Sequence, residues 1–236
     1  MEDLQAQVAS VGALAEPTRL ALYRYVAAAV APVSREQAAA DVDLPLHSVK
    51  FHLDRLVEEG LLEVEYRRLT GRTGPGAGRP SKLYRRASRQ VSVSLPERRY
   101  DLAGEVLAAA VERSAGEGTP IAEAVQHVAH ATGSLLAGEQ TAPRRLSRAA
   151  STASLVGVLG NHGYEPRMVD DDVCLTNCPF DRLAAEHTDL VCGMNLALVD
   201  GVIDGLNIQT MSARLEPQPG FCCVKVATKP DRRDRS

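Results

Sequence analysis

Between Pro45 and Arg86 the hydrophobic pattern changes period once, and the change falls at a glycine. Up to Gly60 the apolar residues recur at helical spacing. Leu46, Val49, Leu53, Leu56 and Val57 predict the inward face of a helix that Pro45 opens and Gly60 caps. Beyond it, Leu62, Val64 and Tyr66 alternate with Glu63, Glu65 and Arg67, the pattern of a strand. The run Gly71-Arg72-Thr73-Gly74-Pro75-Gly76-Ala77-Gly78-Arg79-Pro80 holds too much glycine and proline for helix or strand. Lys82-Leu83-Tyr84-Arg85-Arg86 then resumes an extended pattern. Helix, strand, flexible basic loop and strand together predict a wing.

The residues upstream predict the rest of that unit. Pro17 suits the first position of a helix whose inward face reads Leu20, Tyr23, Ala27 and Val30. Ser34-Arg35-Glu36-Gln37 is a capping box opening a short helix to about Ala40, and Asp41–Leu44 forms a tight connection to Pro45. Two helices joined by so short a turn are a helix-turn-helix. The outward face of the second carries His47, Ser48, Lys50, Phe51 and Arg55, types that reach base edges and phosphates from the major groove. Arg72 and Arg79 in the glycine-rich loop are placed to flank a minor groove, with Lys82 at its base. The chain's net charge is −3, yet residues 61–90 hold eight Lys and Arg against Glu63 and Glu65. That local excess of positive charge fits a phosphate-binding surface. The expected partner is a double-stranded DNA operator.

With His52, Leu53, Leu56, Gly60, Leu61 and Leu62, the stretch Val49–Leu62 resembles the winged-helix repressors of the ArsR and MarR type. Ser94-Leu95-Pro96-Glu97 has the form of a second capping box, predicting a helix from about Leu95 to Ser114 with Leu102, Val106, Ala109, Ala110 and Arg113 along one stripe. A long helix after the wing commonly builds a dimer in such repressors, so a homodimer reading two half-sites is expected. No apolar run approaches the roughly 18 residues of a membrane span, and the first ten residues lack the layout of a signal peptide. A cytoplasmic protein is therefore expected, in which cysteines serve as thiols or ligands more often than as structural disulfides.

All five cysteines fall between residues 174 and 223 of a 236-residue chain. They follow two predicted helices, Pro120–Leu136 and Arg145–Asn161, a short strand at Pro166–Val169 and the acidic turn Asp170-Asp171-Asp172, read as exposed rather than as a cation site. Cys174 and Cys178 lie in Val173–Asp181, Cys192 lies on a helical stretch, and Cys222 and Cys223 begin the second of two closing strands, Ile208–Leu215 and Cys222–Thr228. Such clustering predicts one site. The spacing is neither that of paired C-x-x-C zinc ribbons nor that of ferredoxins, which leaves an iron–sulfur cluster, zinc or a redox thiol pair. An enzyme using a low-pKa cysteine would need a C-x-x-C or Cys/His setting, and no C-x-x-C pair occurs.

The winged helix combined with Asn177-Cys178-Pro179-Phe180 and thirteen residues between Cys178 and Cys192 resembles the SufR family, repressors of iron–sulfur cluster assembly genes. The resemblance implies a non-enzymatic repressor carrying a 4Fe–4S cluster, with Cys178, Cys192 and Cys222 as ligands and Cys174 next. Where the family places a further cysteine this chain has Asn207, so Cys174, Cys223, His187 and a non-protein group all stand as fourth ligands. Adjacent Cys222 and Cys223 on a strand would point to opposite faces, so both should hardly reach one centre. A zinc-bound or thiol-switch repressor is the alternative. The expected layout is mainly α with small β elements (α+β): a winged helix-turn-helix at 1–95, a dimerisation helix at 96–118, a cysteine-bearing sensor domain at 119–229 and a disordered tail at 230–236.

Overall fold

The computed structural model describes residues 4–68, 80–138 and 147–229. Arg72, Arg79, the start of a helix at Arg145 and the tail 230–236 lie outside them. The chain divides into two compact units, residues 1–93 and 94–236.

The first unit contains α1 (Leu4–Ala13), α2 (Pro17–Ala28), β1 (Val33–Ser34), α3 (Arg35–Val42), α4 (Leu46–Glu58), β2 (Leu62–Arg67) and β3 (Ser81–Arg86). Helix starts follow the capping residues. Pro17 takes the first position of α2, where Glu16 accepts the amides of Thr18 and Arg19 at 3.0 and 2.7 Å. The capping box at Ser34 and Gln37 opens α3, with both reciprocal bonds at 3.1 Å. At the end of α4 the chain reverses through Gly60 at φ 69°, and the amide of Leu61 bonds the carbonyl of Leu56. β3 pairs antiparallel with both β1 and β2, giving the order β1-β3-β2.

The core of this unit joins Leu22 and Val26 of α2, Ala38 of α3, Val49, Leu53 and Leu56 of α4, Leu62 of β2 and Tyr84 of β3. Two expected faces are corrected here. Leu22 and Val26 are buried in α2, whereas Val30 lies beyond the helix in solvent and Leu20 and Ala27 are only partly covered. Leu46 is exposed, because it sits in the first turn of α4 and misses the interhelical seam. Helix α1 was not anticipated. Its Ser10 hydroxyl bonds the carbonyl of Glu59 at 2.8 Å and so ties it to the end of α4.

The second unit contains α5 (Tyr100–Glu117), α6 (Ile121–Leu136), α7 (Arg148–Gly160), β4 (Pro166–Val169), β5 (Asp172–Leu175), α8 (Asp181–Glu186), α9 (Thr188–Gly205), β6 (Met211–Leu215) and β7 (Val224–Thr228). The strands form one antiparallel sheet in the order β4-β5-β7-β6. One core lies where α7 and α9 meet the sheet, through Leu155, Leu159, Val199 and Val202 against Val173, Leu175, Val224 and Val226. A second lies among α5, α6, α8 and α9. The expected capping box at Ser94 does not form. Ser94 bonds the carbonyl of Pro96, residues 95–99 are not helical, and α5 starts at Tyr100 with Leu102, Ala103, Val106 and Ala110 buried.

Helix α9 passes through both cores, and it meets α6 through glycines. A Cβ on Gly133 would stand 2.0 Å from the carbonyl oxygen of Leu198, and one on Gly201 would stand 2.0 Å from that of His130. Only hydrogen fits between these backbones. Ser134 crosses the same seam to the carbonyl of Gly201 at 3.1 Å.

Candidate functional site

The outer face of α4 is open. His47, Lys50, Phe51 and Arg55 are exposed and Ser48 is half-exposed, while Val49, Leu53 and Leu56 turn inward. Phe51 keeps 64% of its surface in solvent, unusual exposure for an aromatic side chain. His52 lies partly covered beside it, its ring edge-on to Phe51 at 5.3 Å. The basic residues are less free than their number suggests. Arg55 is paired with Glu58 and Glu59 on its own helix, and Arg85 with Glu63 across the hairpin. Lys82 bonds Asp54 of α4 at 2.5 Å and Tyr84 donates to the same carboxylate at 2.9 Å, so the base of the wing is fastened to the outward-facing helix. Although burial opposes it, hydrogen bonds from Lys82 and Tyr84 hold Asp54 below the usual carboxylate range. Burial and the same bond push the Tyr84 phenol up to about 12. Lys82 is therefore placed as a brace between wing and helix, and Lys50 is the exposed cation of α4 for which no ion pair is formed among the described residues.

The cysteines gather from three segments of the second unit. Cys178 follows β5 in the loop Thr176–Phe180, Cys192 lies in the second turn of α9, and Cys222 and Cys223 immediately precede β7. The Cys178 and Cys222 thiols lie within reach of each other, and Cys192 and Cys223 form a disulfide with Cα atoms 6.5 Å apart. The two pairs are neighbours, because Cys222 and Cys223 are consecutive and Asn195, one turn from Cys192, donates its amide to the Cys222 sulfur at 3.2 Å. The Tyr164 hydroxyl donates to Oδ1 of that asparagine, which leaves its NH₂ group aimed at the sulfur. Asn195 is fully buried and Tyr164 is 3% exposed. The bond from Cys178, together with those from the amides and Asn195, draws the Cys222 thiol below its ordinary range against the effect of burial; Cys178, as donor, is pushed upward.

Three expectations about this region are revised. β7 begins at Val224, so residues 222 and 223 lie ahead of the regular pleat, and each reaches a cysteine of another segment, Cys222 that at Cys178 and Cys223 that at Cys192. Cys174 is not brought there. It sits in β5 between Val173 and Leu175, whose side chains enter the core that holds Cys222, so strand alternation turns Cys174 to the opposite face of the sheet. His187 is exposed at the junction of α8 and α9. No group of three or more His, Cys, Asp or Glu among the described residues is arranged to hold a metal ion. As donors, thiolates are soft ligands of the kind that hold iron–sulfur clusters, and the disulfide between Cys192 and Cys223 would have to be reduced before those two could serve. The acidic turn is engaged with cations of the fold itself. Asp171 pairs with Arg148, and Asp172 with Arg214 and Lys225.

Residues 14–65 match a family model described as a helix-turn-helix domain. The N-terminal unit carries a helix-turn-helix domain. That match begins just after α1, runs into β2 and includes all of α4. No curated protein and no solved structure matches the chain. A helix-turn-helix domain points to DNA-binding transcription regulation. Among the described residues no helix is long and apolar enough to cross a membrane.

Several residues of the cysteine centre escaped the sequence reading. Asn195 carried a signal, being a polar residue three positions after Cys192 in an otherwise apolar helical stretch. Tyr164 and Arg98 carried none, since their partners lie 31 and 79 residues away.

Proposed function

We propose that the chain is a homodimeric transcriptional repressor that binds an operator through α4 and the wing and answers to the state of an iron–sulfur cluster held by Cys178, Cys192, Cys222 and Cys223. The observation that carries this reading is that four cysteines from three segments form two neighbouring pairs, with the buried amide of Asn195 directed at Cys222. The resemblance to SufR-type repressors adds the target, the genes of iron–sulfur cluster assembly. A bound cluster would supply redox- and oxygen-sensitive ligation joining the loop at Cys178, α9 and the start of β7. The chain's own part is to hold the sulfurs close, to keep water from them and to direct the Asn195 N–H at Cys222. For such a site to regulate, its two states must differ in DNA affinity, and a shift of a few kcal/mol between DNA-competent and incompetent forms suffices.

The test is anaerobic reconstitution followed by iron and sulfide counts and a visible spectrum, on the wild type and on Cys178→Ser. The wild type should bind iron and sulfide and turn brown, and Cys178→Ser should lose most of both. Colourless wild-type protein would end the cluster reading. A thiol–disulfide switch is the second reading, favoured by the bond between Cys192 and Cys223. It predicts a colourless protein whose operator affinity changes between reduced and oxidised forms. A zinc site would also be colourless, but would bring stoichiometric zinc.

A further inference from the structure

We propose that Arg98 and Asn177 form a latch through which the state of the cysteine centre reaches the DNA-binding unit. This inference rests on the reading that the cysteine centre controls DNA binding, and it names the route. The first unit ends at Val93 and α5 begins at Tyr100, so residues 94–99 are the covalent connection between the DNA-binding unit and the body of the second. Three consecutive residues of that connection are held by the loop that carries Cys178. The carbonyl of Glu97 accepts from Nδ2 of Asn177 at 3.0 Å. The guanidinium of Arg98 donates to Oδ1 of Asn177 and to the carbonyl of Cys178, the latter at 3.2 Å, and pairs with Asp181 at 3.6 Å. The amide of Arg99 donates to the carbonyl of Pro179 at 3.0 Å.

Asn177 is 6% exposed, and its amide also reaches the carbonyl of Gly163, so the side chain has little room to move alone. Cys178 faces both ways. Its sulfur lies within reach of that of Cys222 while its carbonyl accepts from Arg98. A change of partner at the sulfur that shifts the backbone of this residue moves the carbonyl, and with it the acceptors that fix residues 97–99. Asn177 is the buried member of this part-buried network, and leaving its amide unpaired is costly, so the side chain has few alternative arrangements. Arg98 and Asn177 are positioning residues here, acting through the Cys178 loop.

The experiment uses the full chain and a duplex selected from a random pool by the wild-type protein. Affinity is measured for the thiol-reduced, disulfide and iron–sulfide-reconstituted forms. In the wild type at least one pair of states should differ by about fivefold or more, the lower end of ordinary allosteric coupling. In Arg98→Ala the same ratio should fall to within about twofold of one, and Arg98→Lys should recover part of it. A purely structural role would lower the melting temperature and weaken all forms by one common factor, leaving the ratio intact. That result overturns the latch. If the wild type itself shows no ratio, control by the cysteine centre fails and the latch goes with it, which separates the two failures. A second measurement needs no variant: hydrogen exchange at the Arg99 amide should differ between the states of the wild type. Equal protection in all states would also overturn the proposal.

Discussion

The face of α4 and the cysteine centre solve opposite problems. In the first unit the candidate DNA-reading residues come from one helix, lie in solvent and rest on a core that is contiguous with them in sequence. In the second, the candidate sensing residues come from three segments, lie in or beside an apolar core and depend on partners far apart in the chain, as Cys192 and Cys223 are at a separation of 31. A surface meant for a polyanion can be encoded locally, because helix periodicity alone turns the polar residues outward. A centre that must exclude water and hold sulfurs together needs the whole fold. The polar contacts differ accordingly. Most ion pairs of the first unit are partly exposed, a class generally worth up to about 1 kcal/mol each. The Tyr164–Asn195–Cys222 chain is buried, where an unpaired group costs more.

The contrast can be tested at four points. The largest effect should come from the seam of α6 and α9, on which both cores of the second unit depend. Gly201→Val would force two helix backbones apart, since even a Cβ meets the carbonyl of His130 at 2.0 Å. A loss of about 3 kcal/mol or more is expected in thermal or denaturant unfolding. A change below about 0.5 kcal/mol would show that the close packing is not needed. Asn195→Ala comes next, at about 1–3 kcal/mol, because it strands the buried Tyr164 hydroxyl and removes the donor to Cys222. An equal loss on substituting the exposed pair Arg85 and Glu63 would erase the distinction between the two regions.

On the DNA side, Lys50→Ala should weaken operator binding across sequences and reduce the salt slope by about one. An unchanged slope would remove α4 from the phosphate contacts. The smallest effect concerns acid stability. Asp54 and Asp172 are both held below the ordinary carboxylate range in the fold, against the effect of burial, by bonds to Lys82 and Tyr84 and to Lys225 and the Thr228 amide. Their contribution is present above the pKa of the unfolded chain and is lost as pH falls through the lowered folded values. Asp54→Asn and Asp172→Asn should therefore each cost stability at neutral pH, by about 1 kcal/mol or less, and flatten its decline on acidification. Parallel pH curves for variant and wild type would contradict the lowered values.

Much of the secondary structure was legible, since caps and periodicity act over a few residues. Gly60, the Ser34–Gln37 box and the strands on either side of the basic loop formed where their local chemistry predicts. The misreadings share a cause. Val30 and Leu46 fit a helical stripe by spacing but lie beyond or at the end of the seam their helix buries. Ser94–Glu97 has the composition of a cap, yet the Ser94 hydroxyl turns to the carbonyl of Pro96 and the Glu97 carbonyl is taken by Asn177 of the Cys178 loop. Local propensity yields wherever a tertiary partner offers more.

Residue types and their order determined by themselves that the first unit reads as helix, turn, helix and wing, because each step depends on neighbours in the chain. They also determined that the cysteines belong to one region. Only the tertiary structure decided that Cys223 joins the centre and Cys174 turns away from it, because side-chain direction there depends on where β7 begins and which face of β5 meets the core. It alone placed Asn195, Tyr164 and Arg98, whose roles arise from contacts between segments that no local pattern connects.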